Sequence, residues 1–275
     1  RWLPDAQEPS VLIETGAGQV VQLTRARYLQ TTSLQTAESA SSAVAKELQH
    51  MARLALEVVA HALYAPPDVR HGPEREDPQL RSRLEHQAIN ADVLYRNHIK
   101  GVYADLLEFM GRMDQPLDGA QQAFWHSSQV AAFQLVDAVK DAHRLQRNMH
   151  KFLMQPDDSA ARSSYLELRL YMLQTLRDIH TLSVADMPES QWTQELHALD
   201  ASIAAFDAQF RKHLFAAIRG GLLDSLTVSS LMNDLGFAQT IIHVLRQVLL
   251  LGEGHEAIRQ EQLLMGEAPL IQTAA

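Results

Sequence analysis

The residues best spaced to do chemistry in this chain lie on one stretch, Leu135-Val-Asp-Ala-Val-Lys-Asp-Ala-His-Arg-Leu-Gln-Arg-Asn148. Asp137 and Asp141 are four apart, so in a helix both carboxylates leave one face about one turn from each other. Two like charges at that spacing repel, and a cation near them relieves the cost. Lys140 and Arg144 flank them and can do this without a metal. Two readings stand: a solvated acidic face paired to its own basic neighbours, or a site for a hard cation such as Mg, Mn or Ca. A nearby histidine would widen the choice to Fe or Zn. A second stripe, His50, Glu57 and His61, recurs at spacings of seven and four. Glu57 and His61 are either a coordinating pair or exposed residues at the edge of a helical seam. His98, beside an apolar stripe, reads as a hydrogen-bonded packing residue, and Phe124 and Trp125 as core or interface.

The usual catalytic spacings are missing: there is no glycine-rich phosphate loop, no G-x-S-x-G elbow and no H-E-x-x-H. A carboxylate-bridged di-iron bundle needs two Glu-x-x-His pairs, and the chain has one, Glu47-Leu-Gln-His50. The expectation is that the chain is not an enzyme. With no cysteine, thiol nucleophiles, disulfides and Cys-based zinc or iron–sulfur sites are excluded. The 33 acidic and 24 basic residues give a net charge of -9, which argues against a nucleic-acid partner, whose phosphates require a concentrated basic face.

Helices must position these residues. At 46% hydrophobic and 21% charged residues, across 275 in all, the chain has the composition of a folded globular protein. Its few glycines and prolines disfavour a turn-rich β architecture. Val44, Leu48, Met51, Ala55, Val58 and Ala62 alternate at four and three, a heptad stripe that ends before Pro66-Pro67. A second helix is expected from about Pro78, with its stripe through Ile99, Tyr103, Leu106, Met110 and Met113. The third has the cleanest period, from Phe124 to Phe152, and Asp137 and Asp141 ride on it. A fourth is expected over about 159–184, a fifth from about Pro188 or Ser190 to Arg219 before Gly220-Gly221, and a sixth over about 225–251. Long helices with short connections pack as antiparallel neighbours. The expected fold is all-α, two tandem three-helix bundles over 31–156 and 157–253. An extended lead-in over 1–30, with short β-type runs at 11–13 and 20–23, precedes them, and a tail over 254–275 follows. No uninterrupted apolar run reaches the roughly 18–20 residues of a spanning helix; the best stretch, 240–251, carries His243, Arg246 and Gln247. No signal-peptide pattern is present, and the opening Arg1 reads as the start of a fragment.

The helix around Asp137 and Asp141 resembles the Asp/Glu-x-x-x-Asp helix of PhoU-family phosphate-signalling proteins. More narrowly, the chain resembles the PhoU-like cytosolic region of bacterial Na/phosphate cotransporter-family proteins. Arg25-Ala-Arg-Tyr28-Leu29 is similar to the entry before the first helix, Ala43-Val-Ala-Lys-Glu-Leu-Gln-His-Met51 to that helix's core, and Ser229-Ser-Leu-Met-Asn-Asp234 to the sixth-helix segment. The resemblance covers about Arg25 to Leu251. It implies tandem three-helix bundles whose acidic motifs can hold iron or zinc. Carried over, those motifs fall on Asp137 and Asp141 in the first half and Asp234 in the second, with Ser230 where a further carboxylate would stand. It also implies a regulatory role: a domain on the cytoplasmic side of the bacterial inner membrane that modulates or senses phosphate movement. Its partner would be a membrane-embedded transporter domain of the same polypeptide, with a homodimer as a further expectation. The competing expectations are a free-standing signalling adaptor that restrains a kinase or an ABC transporter, and a purely structural helical scaffold.

Overall fold

The computed structural model describes residues 23–66, 77–87 and 90–252. The β-type run at 11–13, all but Leu23 of the run at 20–23, and the tail over 254–275 lie outside them. Among the described residues there is no strand, and the protein is all-α.

A 3-10 turn over Thr31–Gln35 leads into α1 (Ala37–Ala62). After it come α2 (Leu80–His86), α3 (Ala91–Leu94), a π-helical turn (Tyr95–Ile99) and α4 (Lys100–Gly111). Four long helices complete the chain: α5 (Gly119–Leu153), α6 (Ala160–Val184), α7 (Glu189–Arg219) and α8 (Ser225–Leu251). Their starts follow from side chains that satisfy the first free amides of each helix. Thr36 accepts from the Ser39 amide, Asp118 and Gln121 form a reciprocal capping box, Ser159 accepts from Arg162, and Asp224 accepts from Leu226 and Thr227.

The single second helix expected from Pro78 is in fact three helical pieces and a π turn. Polar side chains capture backbone groups at the break. Asn90 accepts from the Val93 amide, and the Gln146 side chain on α5 accepts from the Ala91 amide at 2.9 Å. The Gln87 side chain donates back to the His61 carbonyl at 3.1 Å. Likewise α1 stops at Ala62, short of the two prolines, and Tyr64 adopts a left-handed φ of 54°. The carbonyls freed there are taken by arginine: Arg169 on α6 reaches Leu63 and Tyr64, at 2.7 and 2.9 Å, and Arg83 on α2 reaches Tyr64 at 2.9 Å.

α5 is the central strut. It packs on α1 along one side and on α8 along the other, while α6 lies on α8 and α7 closes over α6 and α8. α3 and α4 cover α1 and α5. The apolar side chains of all these helices join in one hydrophobic core. α1 is enclosed almost all round, with 17 of its 26 residues buried, so it must house polar residues inside as well. α7 is the reverse, an outer helix held by a few strong attachments. Trp192 is fully buried and donates from Nε1 to the Leu182 carbonyl at 3.1 Å. Phe206 stacks on Tyr171 at 3.6 Å, and Arg246 grips Asp200 through two bonds of 2.6 and 2.7 Å. Among the described residues α8 alone is long and apolar enough to cross a membrane, and 61% of its apolar window is buried inside the bundle.

Candidate functional site

Asp137 and Asp141 share one face of α5, as their spacing requires. Lys140 Nζ donates to Asp137 at 3.2 Å, and the Asp137 side chain is nearly half exposed. Arg144 Nη1 donates to Asp141 at 3.0 Å. Asp141 sits deeper than its neighbour, and burial pushes its carboxyl above the usual range, with Arg144 opposing and Asp137 adding to the rise. Arg144 also lies over the Phe237 ring, 5.7 Å from its centre, so it spans from the acidic stripe to α8. Both carboxylates are thus held by cations one turn along their own helix. The Asp137–Lys140 pair is labile, because solvent-exposed ion pairs contribute about 0–1 kcal/mol, and the Arg144 guanidinium of the second pair is itself more than half exposed.

The third residue of the set is elsewhere. Asp234 is fully buried between α5, α6 and α8. Tyr165 donates its hydroxyl to Oδ2 at 2.6 Å, and Asn148 Nδ2 donates to Oδ1 and Oδ2 at 3.1 and 3.0 Å. Burial pushes the Asp234 carboxyl up to about 6 against the pull of those donors. Asn148 is seven residues from Asp141 on α5, about 10 Å along the axis at 1.5 Å per residue. The structure therefore brings Asp137 and Asp141 together and sets Asp234 apart, in a buried hydrogen-bonded core site. Ser230 is half-buried one turn before Asp234 on α8. Among the described residues no group of three or more His, Cys, Asp or Glu side chains is placed to hold a metal ion.

Glu57 and His61 are half-buried on α1, while His50 is buried and turned to another partner. Its Nδ1 meets Glu47 Oε1 at 2.8 Å, and Glu47 is itself fully buried. The other carboxylate oxygen accepts the amides of Arg27 and Tyr28, at 2.8 and 2.7 Å. The Glu-x-x-His spacing thus makes a clasp for the segment that enters the bundle. His98, at the π turn, is buried and pairs through Nδ1 with the Thr24 hydroxyl at 2.8 Å. Burial lowers its imidazole pKa. Phe124 and Trp125 are buried in the core.

Sequence reasoning missed a second polar cluster. Arg169, buried on α6, bonds Asp77 at 3.0 Å as well as the two carbonyls at the end of α1. Arg83 pairs with the same aspartate. The signal was present in each case: Glu47, Arg169 and Asp234 all fall at helical spacing from apolar core neighbours, where a charge must be satisfied internally. No protein-family model, curated protein or solved structure matches this chain.

Proposed function

We propose that this chain is a PhoU-like regulatory module of a sodium-dependent phosphate carrier, acting from the cytoplasmic side of a bacterial inner membrane. The observation that supports this reading is the acidic stripe of α5. Asp137 and Asp141 lie on one face of the central helix, held only by weak pairs that an incoming cation or partner can displace. The three segments similar to the cotransporter-family region carry the substrate class. The module has no transport activity of its own. It changes carrier output through contacts made at or near the stripe, and a divalent cation, iron or zinc bound by Asp137 and Asp141 would alter those contacts.

The test is phosphate uptake into vesicles by the longer polypeptide that includes this chain, with and without a sodium gradient, beside its Asp137→Ala/Asp141→Ala variant. Sodium-driven uptake whose regulation changes in the variant supports the proposal. No phosphate movement under either condition overturns it. Elemental analysis of the purified 275-residue chain addresses the cation: metal present in the native chain and lost in the double variant places it at the stripe.

A further inference from the structure

The segment from Thr24 to Tyr28 lies across α1, the π turn and α4, and polar contacts hold it at every step. The Thr24 amide donates to the Asn97 carbonyl at 2.9 Å, and the Thr24 hydroxyl pairs with His98. The Ala26 amide donates to Asp105 at 3.0 Å, and Arg25 pairs with the same carboxylate. The Arg27 and Tyr28 amides end on Glu47. Tyr28 sets its ring edge-on to His50, 6.1 Å between centres.

Two features of the seat are specific. At the π turn the Lys100 amide reaches back five residues to Tyr95. A π turn inserts one extra residue into a helix and costs part of its regular ladder. The Asn97 carbonyl inside that turn accepts from a donor outside the helix, the Thr24 amide. One turn further on, a Cβ built on Gly101 would lie 2.8 Å from the Thr24 carbonyl oxygen. Glycine in a helix interior costs roughly 0.5–1 kcal/mol relative to alanine, so Gly101 gives up helix stability at the point where the strap crosses.

We infer that residues 24–28 form a detachable strap coupled to the π turn, so that the helix from Ala91 to Gly111 has two registers. With the strap seated, Thr24 supports the extra residue and Glu47 is fully satisfied. With the strap lifted, the Asn97 carbonyl loses its contact with Thr24 and the helix regains regular α bonding by expelling one residue. Each residue turns an α-helix by about 100°, so this rotates one side of the break relative to the other and moves Asp105 off its seat. The strap thereby links the chain before residue 23 to the face of α4. The inference is independent of the phosphate reading above.

The experiment is amide hydrogen exchange on the 275-residue chain and two variants. Gly101→Ala removes room for the strap, and Thr24→Pro removes the donor to Asn97 from a residue outside every helix. Each variant is expected to raise exchange about tenfold or more at residues 26–28 and, together with it, to change the protection pattern over 95–100 as the bonding register there shifts, while α5 and α8 keep their protection. Unchanged exchange at 26–28 in both variants overturns the strap. Faster exchange at 26–28 with 95–100 unchanged overturns the coupling to helix register. Should Gly101→Ala fail to fold, Thr24→Pro decides alone.

Discussion

Asp234 gives the sharpest quantitative expectation. Its carboxyl titrates at about 6 in the fold against an ordinary value of 3.8, and about 1.4 kcal/mol per unit makes that gap worth about 3 kcal/mol. The folded state holds the proton more tightly than the unfolded chain. The stabilisation from the neutral acid is therefore fully present below about 4 and declines through pH 4–6. It is gone once the pH has passed the folded value. Asp234→Asn keeps the shape and an oxygen for Tyr165, and a turned Asn148 amide can accept from the new side-chain nitrogen. Urea unfolding of both proteins at intervals from pH 4 to 8 isolates this group, because every other titration is common to the two. The stability of the wild type relative to Asp234→Asn should fall by about 2–3 kcal/mol between pH 4 and pH 7, then level off. A difference that stays flat across that range refutes the assignment of a buried, proton-holding Asp234.

The remaining expectations concern the other buried polar groups. Asp234→Ala strands the Tyr165 hydroxyl and the Asn148 amide and should cost roughly 2–5 kcal/mol in urea unfolding, the larger loss at pH 4 and the smaller at pH 7. Arg169→Met leaves the Leu63 carbonyl without its side-chain donor and the Tyr64 carbonyl and Asp77 with Arg83 alone; a loss of roughly 3–5 kcal/mol is expected. Arg169→Lys should not restore it, because one ammonium cannot reproduce the guanidinium fork. Trp192→Ala empties the largest fully buried site on α7, with an expected loss of roughly 3–5 kcal/mol in the same assay. Asp137→Ala/Asp141→Ala, by contrast, removes one exposed pair and one half-buried carboxylate that burial already disfavours, and its unfolding midpoint should change little.

The long helices were legible because their stripes and caps are local. Asp118 with Gln121, Asp224 with Thr227 and the run from Phe124 to Phe152 each fix an element within a few residues of sequence. The end of α2 at His86, the start of α3 at Ala91 and the π turn at 95–99 were not legible. They depend on Gln146 and Thr24, whose contacts lie 55 and 74 residues away in sequence, and no proline or glycine marks them. Of the candidate site, the shared face of Asp137 and Asp141 followed from spacing alone. The interior position of Asp234 did not, although Val228, Leu231, Leu235 and Ala238 surround it at helical intervals and are all buried. A carboxylate among such residues is buried with its donors, and its donors come from helices that the local pattern does not name.

The arginine bridge at the end of α1 also bears on how the chain is made. The Leu63 and Tyr64 carbonyls accept from a residue 106 and 105 positions later. At roughly 5–20 residues per second of synthesis, that donor follows by about 5–20 s. For that interval the most enclosed helix of the protein exists without its terminal partner and without α8, whose side chains help to cover it. Nascent chains arrested before α6 should accordingly expose α1 to proteases and bind chaperones, and release should come only when α8 has cleared the ribosome. The first long helix among the described residues is the last to be finished.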